Sequence, residues 1–288
     1  MEWHNLQDPD DPELDRLAER YRLHPLHIED CRHRGQNAKV EEHGHYLFVV
    51  LKPVEVEPDG SLSFTDFDLF LGRDFLITVQ EGASPTVQRI LDPLRASISQ
   101  ARMDHLFYRI TDTIVDAYRQ PLDHLDEITD ALEDEVLESP SPAVLDKIFR
   151  AKRSLIELRR VLANTRDVAS HLQRTQSELI ARDLWPFLRD IYDHVARALD
   201  TVEVQRDLLS GALEIYLSSV SQRTNQVMKV LTILGTIALP ALIVSGFYGM
   251  NLQGLPGSNS PFGTLIATGT MLALTTLLLL LLRFLHWL

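Results

Sequence analysis

The sequence predicts an α+β membrane protein: an N-terminal cytoplasmic α/β domain, a long helical stalk and two C-terminal transmembrane helices. Three observations predict it. Val230 to Tyr248 carries no charge over 19 positions, which at about 1.5 Å per residue matches the thickness of a bilayer core. A second uncharged run, Phe262 to Leu282, follows after a short polar stretch. Everything before Arg223 is charged and soluble in character, strand-like at first and helix-like from Pro85 onward. The expected segments are an α/β domain over 1–100, a helical hairpin and stalk over 101–226, a first span over 227–248, a loop over 249–261 and a second span over 262–284.

In chain order, Trp3-His4-Asn5-Leu6 reads as an opening strand, and Pro12 after Asp10-Asp11 marks a helix start. Leu14, Leu17, Ala18 and Tyr21 fall on one face of that helix. A short helix, Leu26 to Cys31, follows His24-Pro25. Tyr46 to Lys52 reads as a buried strand ended by Pro53, and Asp59-Gly60 as a turn. Leu62 to Phe70 and Phe75 to Val79 read as a hairpin closed by Leu71-Gly72-Arg73-Asp74. Three long helical segments are then expected: Ala101 to Glu138 with a kink at Pro121, Ala143 to Thr175, and Ser177 into the membrane. Pro140-Ser141-Pro142 separates the first two. Acidic Glu133, Asp134, Glu135 and Glu138 on one arm face basic Lys147, Arg150, Lys152 and Arg153 on the other, as solvated neighbouring helices do.

From Pro186 to Gly246 nothing breaks the helical pattern except Pro240 and a few glycines, a length of about 90 Å if continuous. Such a helix cannot bury one face within its own small domain, so it needs partners, most simply copies of itself around an axis. One stripe along it carries Glu214, Ser218, Ser221, Asn225, Met228, Leu231 or Thr232, Gly235, Leu239, Leu242 and Gly246. Polar members come first. Met228 and Leu231 are the first bulky apolar ones, and rings of such side chains can close a pore by excluding water. A plain helix–helix core would use the same residues.

Composition bounds the function. The formal net charge of −13 argues against nucleic acid as a partner and is compatible with cations. The single cysteine, Cys31, excludes an intrachain disulfide framework and fits a reducing compartment. The opening MEWHNLQDPDDPEL is acidic and has no apolar signal-peptide core. Arg223 and Lys229 precede the first span and Arg283 follows the second, while Asn251 to Pro261 has no basic residue. Both chain ends are therefore expected in the cytoplasm, in a multi-pass protein of the inner membrane. There is no Gly-rich phosphate loop, so ATP drive is not expected, and no organic cofactor is expected either. No Asp, Glu, Lys, Arg or His lies within either span, which argues against a proton relay in lipid. Were the cargo of such spans a divalent cation, entry into a cell at 100 mV, negative inside, would gain about 4.6 kcal/mol, against about 1.4 kcal/mol for a tenfold adverse gradient, so passive, channel-like uptake would suffice. No enzymatic activity is expected.

Several phrases carry a resemblance. Gly249-Met250-Asn251 stands at the exit of the first of two C-terminal spans, after EIYLSSVSQRTNQVMKVLTI. Upstream come His24-Pro25-Leu26 with Glu29-Asp30, then Gln36 with Lys39-Val40-Glu41, then Tyr46-Leu47-Phe48-Val49-Val50-Leu51. Together they resemble the CorA family of divalent-cation transporters over nearly the whole chain.

The resemblance implies a homopentamer in the lipid bilayer that moves divalent cations, Mg²⁺ and also Co²⁺, and is inhibited by intracellular Mg²⁺. Gly249, Met250 and Asn251 would form the selectivity filter. Five Asn251 amide oxygens would face the hydrated ion without adding charge, which suits a cation that gives up water reluctantly. Asn225, Met228, Leu231, Gly235, Leu239, Leu242 and Gly246 would line the pore and its gate. Asp30 and Asp190 would hold regulatory Mg²⁺ between subunits. One departure stands: many magnesium-transporting members carry an acidic residue after the motif, and Leu252 to Pro261 has none. A ZntB-like zinc transporter therefore remains an alternative, as does a membrane-tethered sensor or scaffold that transports nothing. His43 and His45, with His24, His27 and His33 nearby in sequence, offer zinc-ligand chemistry, but the stretch around Gly44 reads as a solvated turn.

Overall fold

The computed structural model describes residues 1–82, 84–95, 102–175, 177–250 and 261–284. The chain divides into two compact units, Met1–Leu213 and Glu214–Leu288.

The first unit opens with β1 (Glu2–Leu6), α1 (Pro12–Tyr21), α2 (Pro25–Arg32), β2 (Lys39–His43), β3 (Tyr46–Leu51), β4 (Val54–Val56), β5 (Leu62–Phe64), β6 (Phe67–Gly72) and β7 (Phe75–Gln80). The main sheet has five strands in the order β1-β7-β6-β3-β2, with β1 parallel to β7 and every other neighbour antiparallel. β3, β6 and β7 are buried at every position, so their apolar runs need no alternation. α1 begins where Asp11 Oδ1 accepts from Glu13 N at 2.8 Å, with Pro12 in the first turn. Leu14 and Leu17 of α1 and Ile28 and Cys31 of α2 pack with Phe48, Phe70 and Ile77 of the sheet.

Three expectations change here. The run Leu62 to Phe70 is not one strand: β5 pairs with β4 in a separate two-stranded sheet, and the chain crosses at Thr65-Asp66 into β6. Asp66 is the physical reason, because its buried carboxylate binds Lys52 and the backbone N–H groups of Gly35 and Gln36. β2, which is polar and half exposed, was not expected as a strand. It is the sheet edge, where charged residues protect an open ladder. His43 therefore ends a strand, and the turn is Gly44-His45, with Gly44 at φ 56°.

The helices follow as α3 (Pro85–Arg95), α4 (Met103–Asp116), α5 (Arg119–Glu138), α6 (Pro142–Leu172) and α7 (Trp185–Tyr248), with a 3₁₀ turn at Arg182–Leu184 before α7. The break expected at Pro121 falls at Ala117-Tyr118 instead, and Pro121 sits in the first turn of α5, where its missing N–H costs little. Tyr118 at this junction is buried and donates to Lys52 O at 3.0 Å. Ser141 caps α6, accepting from Val144 N at 3.4 Å. Of the charges facing across the α5–α6 hairpin, Lys147 pairs with Glu135 at 2.8 Å, while Arg150 pairs within its own helix with Asp146.

In the second unit α7 continues as helix through Pro240 to Tyr248, and α8 (Gly263–Phe284) follows. Both are long and apolar enough to cross a membrane. Hydroxyls within them bond back to carbonyls four residues earlier, as in Thr232 to Met228 O at 2.8 Å and Thr275 to Met271 O at 2.9 Å. Each of these hydroxyl donors thereby has a partner within its own helix.

Candidate cation sites

The first candidate is built by two i, i+4 pairs in the first unit. Asp112 and Asp116 share one face of α4, and Asp190 and His194 share one face of α7. Asp112, Asp116 and His194 each bring a donor atom within 4.8 Å of the other two. His194 Nδ1 lies 3.2 Å from Asp116 Oδ1, and its Nε2 lies 3.5 Å from Asp190 Oδ2. One imidazole thus spans carboxylates of both helices. Partial burial raises the Asp112 carboxyl, and the Asp116 charge raises it further. Burial, followed by the Asp112 charge, pushes the adjoining Tyr108 phenol up to about 12. Three carboxylates around one imidazole repel one another, a repulsion that a divalent cation would relieve, and the donor set would suit Mg²⁺ through oxygen or Co²⁺ through oxygen and nitrogen.

Of these four, the sequence reading named only Asp190. Asp112, Asp116 and His194 were missed. Their one signal was the matching spacing Asp-x₃-Asp and Asp-x₃-His, which is common on solvated helices.

Asp30 lies elsewhere. Its Oδ2 accepts from Lys39 Nζ at 2.7 Å, and the same ammonium donates to Glu41 at 2.8 Å. Burial works against the Lys39 charge, but the two carboxylates outweigh it and hold its pKa above the ordinary value. Among the described residues Asp30 and Asp190 share no partner.

The second candidate is the stripe on α7. Asn225, Met228, Leu231, Gly235, Leu239, Leu242 and Gly246 are all exposed, Met228 at 56% and Leu231 at 63%. At the helix exit, Gly249 N donates to Ser245 O at 2.8 Å, and a Cβ on Gly249 would stand 2.9 Å from that same oxygen. A side chain cannot fit there without a shift of the backbone. Gly249 and Met250 are described. Asn251, the third residue expected in the filter, lies outside the described residues, as does the non-acidic stretch 252–260.

An α/β domain followed by a long helix with an apolar end, and then by a second apolar helix of bilayer length, is the architecture of a protein with two candidate C-terminal membrane helices. A sequence profile described as CorA-like Mg²⁺ transporter protein matches residues 1–284, and the chain belongs to that family. The cobalt/magnesium transport protein CorA of Thermotoga maritima is 38% identical over 84% of this chain and 70% of its own length. The complete structure of the CorA magnesium transporter from Methanocaldococcus jannaschii superposes with a TM-score of 0.84 at 24% identity, covering 98% of this chain and 89% of the other. The zinc transport protein ZntB of Pectobacterium atrosepticum is 24% identical over 68% of this chain and 59% of its own.

Proposed function

We propose that this chain is a channel-like transporter that carries Mg²⁺, and also Co²⁺, into the cell down the membrane potential. Five copies surround one axis, each contributing α7 to the pore, with both chain ends in the cytoplasm of a cell bounded by that membrane. Residues 1–100 and 101–226 form the cytoplasmic part, 227–248 the pore span, 249–261 the outer loop and 262–284 the second span. The observation that carries this reading is the exposure of every residue of the α7 stripe. A single chain leaves Met228, Leu231, Leu239 and Leu242 uncovered together with the other faces of the apolar part of α7, Val227, Val230, Leu234 and Ile243 among them, and a ring of copies in lipid covers both sets. Met228 and Leu231 form the dry gate, and Gly249, Met250 and Asn251 the filter.

Inhibition uses Mg²⁺ held by Asp30 of one copy and Asp190 of its neighbour, with Asp112, Asp116 and His194 beside Asp190. At low Mg²⁺ the carboxylates repel and the ring loosens. At high Mg²⁺ the ion joins the copies and holds the gate shut. Because Lys39 neutralises Asp30 within one chain, the ion must displace that ammonium, which makes the response depend on concentration.

Purified protein in liposomes, with an interior Mg²⁺-sensitive dye and a potential imposed by a potassium gradient, tests the reading. Mg²⁺ influx that rises with the potential is expected, together with block by interior Mg²⁺. Influx of Zn²⁺ alone would favour the zinc reading, and no influx of any divalent ion would reject transport.

A further inference from the structure

The corner between α6 and α7 holds a cleft that neither candidate cation site uses. Arg174, two residues past the end of α6, lines it together with Arg182, Trp185, Arg189, Tyr192 and Asp193. The five positions from the 3₁₀ turn and α7 recur at spacings of 3, 4, 3 and 1. At about 100° per residue they fall within one helix face about 120° wide. The cleft measures 720 Å³, within the range of about 300–1,000 Å³ usual for small-molecule sites.

Its lining is cationic and aromatic. Three guanidinium groups meet one carboxylate, that of Asp193, and none of the three arginines forms an ion pair among the described residues. Arg102 shows the contrast: it is tied to Asp104 at 2.6 Å and, at 2.9 Å, to Asp183 in that same 3₁₀ turn. The Arg182 guanidinium instead lies over the Trp185 ring, 5.8 Å from its centroid. A guanidinium stacked this way keeps its N–H groups, which lie in its own plane, free for an anion. Trp185 is 39% exposed, a large apolar ring left open beside these charges.

We propose that this cleft binds a nucleoside polyphosphate, with the phosphates on Arg174, Arg182 and Arg189 and the base on the open part of Trp185. Arginine takes phosphate oxygens in pairs through its planar fork. Bases stack on aromatic rings and on guanidinium planes, and every base has a face to offer. Arg182 and Arg189 leave the backbone seven residues apart, about 10 Å along the axis. An elongated chain of phosphates spans that distance better than a lone phosphate does. The net charge of −13 repels an anion at long range. At physiological salt that repulsion is screened beyond about 8 Å, so the three guanidinium groups at hand decide the balance. The cleft uses no residue of the pore stripe or of the Asp112 cluster, and the site stands whether or not the pore conducts.

Full-length protein in detergent is titrated by calorimetry with ATP and with inorganic triphosphate, both in EDTA so that neither attaches through a metal ion. ATP is expected to bind once per chain and about tenfold more tightly than triphosphate, the gain from one stacked base. Arg174→Gln and Arg189→Gln are each expected to weaken ATP about tenfold, the loss of one charge-assisted contact. Trp185→Ala is expected to bring ATP down to the affinity of triphosphate. Arg160→Gln removes an exposed, unpaired arginine of α6 outside the cleft and is expected to change nothing. Absence of ATP binding at millimolar concentration overturns the proposal, and equal affinity for ATP and triphosphate overturns the nucleoside assignment. A loss in Arg160→Gln as large as in Arg189→Gln reduces the effect to net charge and also overturns it. So does an Arg189→Gln chain that keeps its ATP affinity but falls apart in native mass spectrometry, since the cleft then holds a neighbouring copy.

Discussion

Lys52→Met is expected to destabilise the first unit severely. Lys52 and Asp66 form an ion pair with side chains 9% and 6% exposed, at the point where the chain crosses from β5 to β6. Removing the ammonium strands a buried carboxylate, a defect that costs about 3–5 kcal/mol. Asp66 Oδ2 keeps two backbone donors, Gly35 N at 2.8 Å and Gln36 N at 3.0 Å, so the lower end, about 3 kcal/mol, applies. For a unit of this size that is a fall of roughly 6–12 °C in Tm. Asp66→Asn strands the ammonium with Gln36 O as its remaining partner, and costs at least as much. In Lys52→Met/Asp66→Asn both charges are gone while the asparagine oxygen still accepts from the loop. The double variant is expected to recover to within about 1 kcal/mol of the unaltered chain. Cys31 provides the assay: it is the chain's single cysteine and is buried, so a thiol-reactive fluorophore reports unfolding on heating. A Lys52→Met chain that melts within 2 °C of the original (under about 1 kcal/mol) refutes the reasoning, as does a double variant that loses the sum of the singles.

Asn251→Ala is expected to abolish selective Mg²⁺ flux in liposomes while native mass spectrometry still shows the assembled ring; full flux would remove Asn251 from the filter. Met228→Ala or Leu231→Ala is expected to raise leak at high interior Mg²⁺, because a smaller side chain widens a dry gate. Asp30→Asn/Asp190→Asn is expected to shift the interior Mg²⁺ needed for inhibition and leave permeation intact, and an unchanged inhibition curve would exclude the pair. Asp68 is a buried carboxyl raised from 3.8 to about 7, chiefly by burial and further by the charges of Asp66 and Asp30. A raised carboxyl contributes stability that is complete below its unfolded pKa and lost as pH climbs through the folded one. The chain is therefore expected to lose up to about 4 kcal/mol between about pH 4 and pH 8 through this group. Asp68→Asn should flatten that slope, and an equal slope in both chains would show that Asp68 is charged throughout.

The central strands were legible because β3, β6 and β7 are apolar at nearly every position, which only burial on both faces explains. β2 was not, since Lys39-Val40-Glu41-Glu42-His43 has the composition of a loop and becomes a strand by pairing with β3. The crossover at Asp66 was hidden for a related reason: its partners, Lys52 and the Gly35-Gln36 backbone, are chosen by tertiary structure. Asp190 was found by its phrase, but its companions on α4 are about 75 residues away in sequence and meet it only when α4 packs on α7. The N-terminal histidines show the same limit from the other side. His43 and His45 are neighbours in sequence, yet only His43 packs its ring against those of His24 and His27.

Gly249 carries a consequence for how such a protein can diverge. With 2.9 Å between its would-be Cβ and Ser245 O, any larger residue disturbs the end of α7 before an ion is ever met. The first letter of the Gly-Met-Asn triad is thus policed by folding, whereas the third, under the proposed reading, is policed by the cargo. A descendant that switched ions would be free to change Asn251 and bound to keep Gly249. Lineages sorted by whether they retain the whole triad would then be grouped by substrate, while those sorted by the glycine alone would be grouped by architecture.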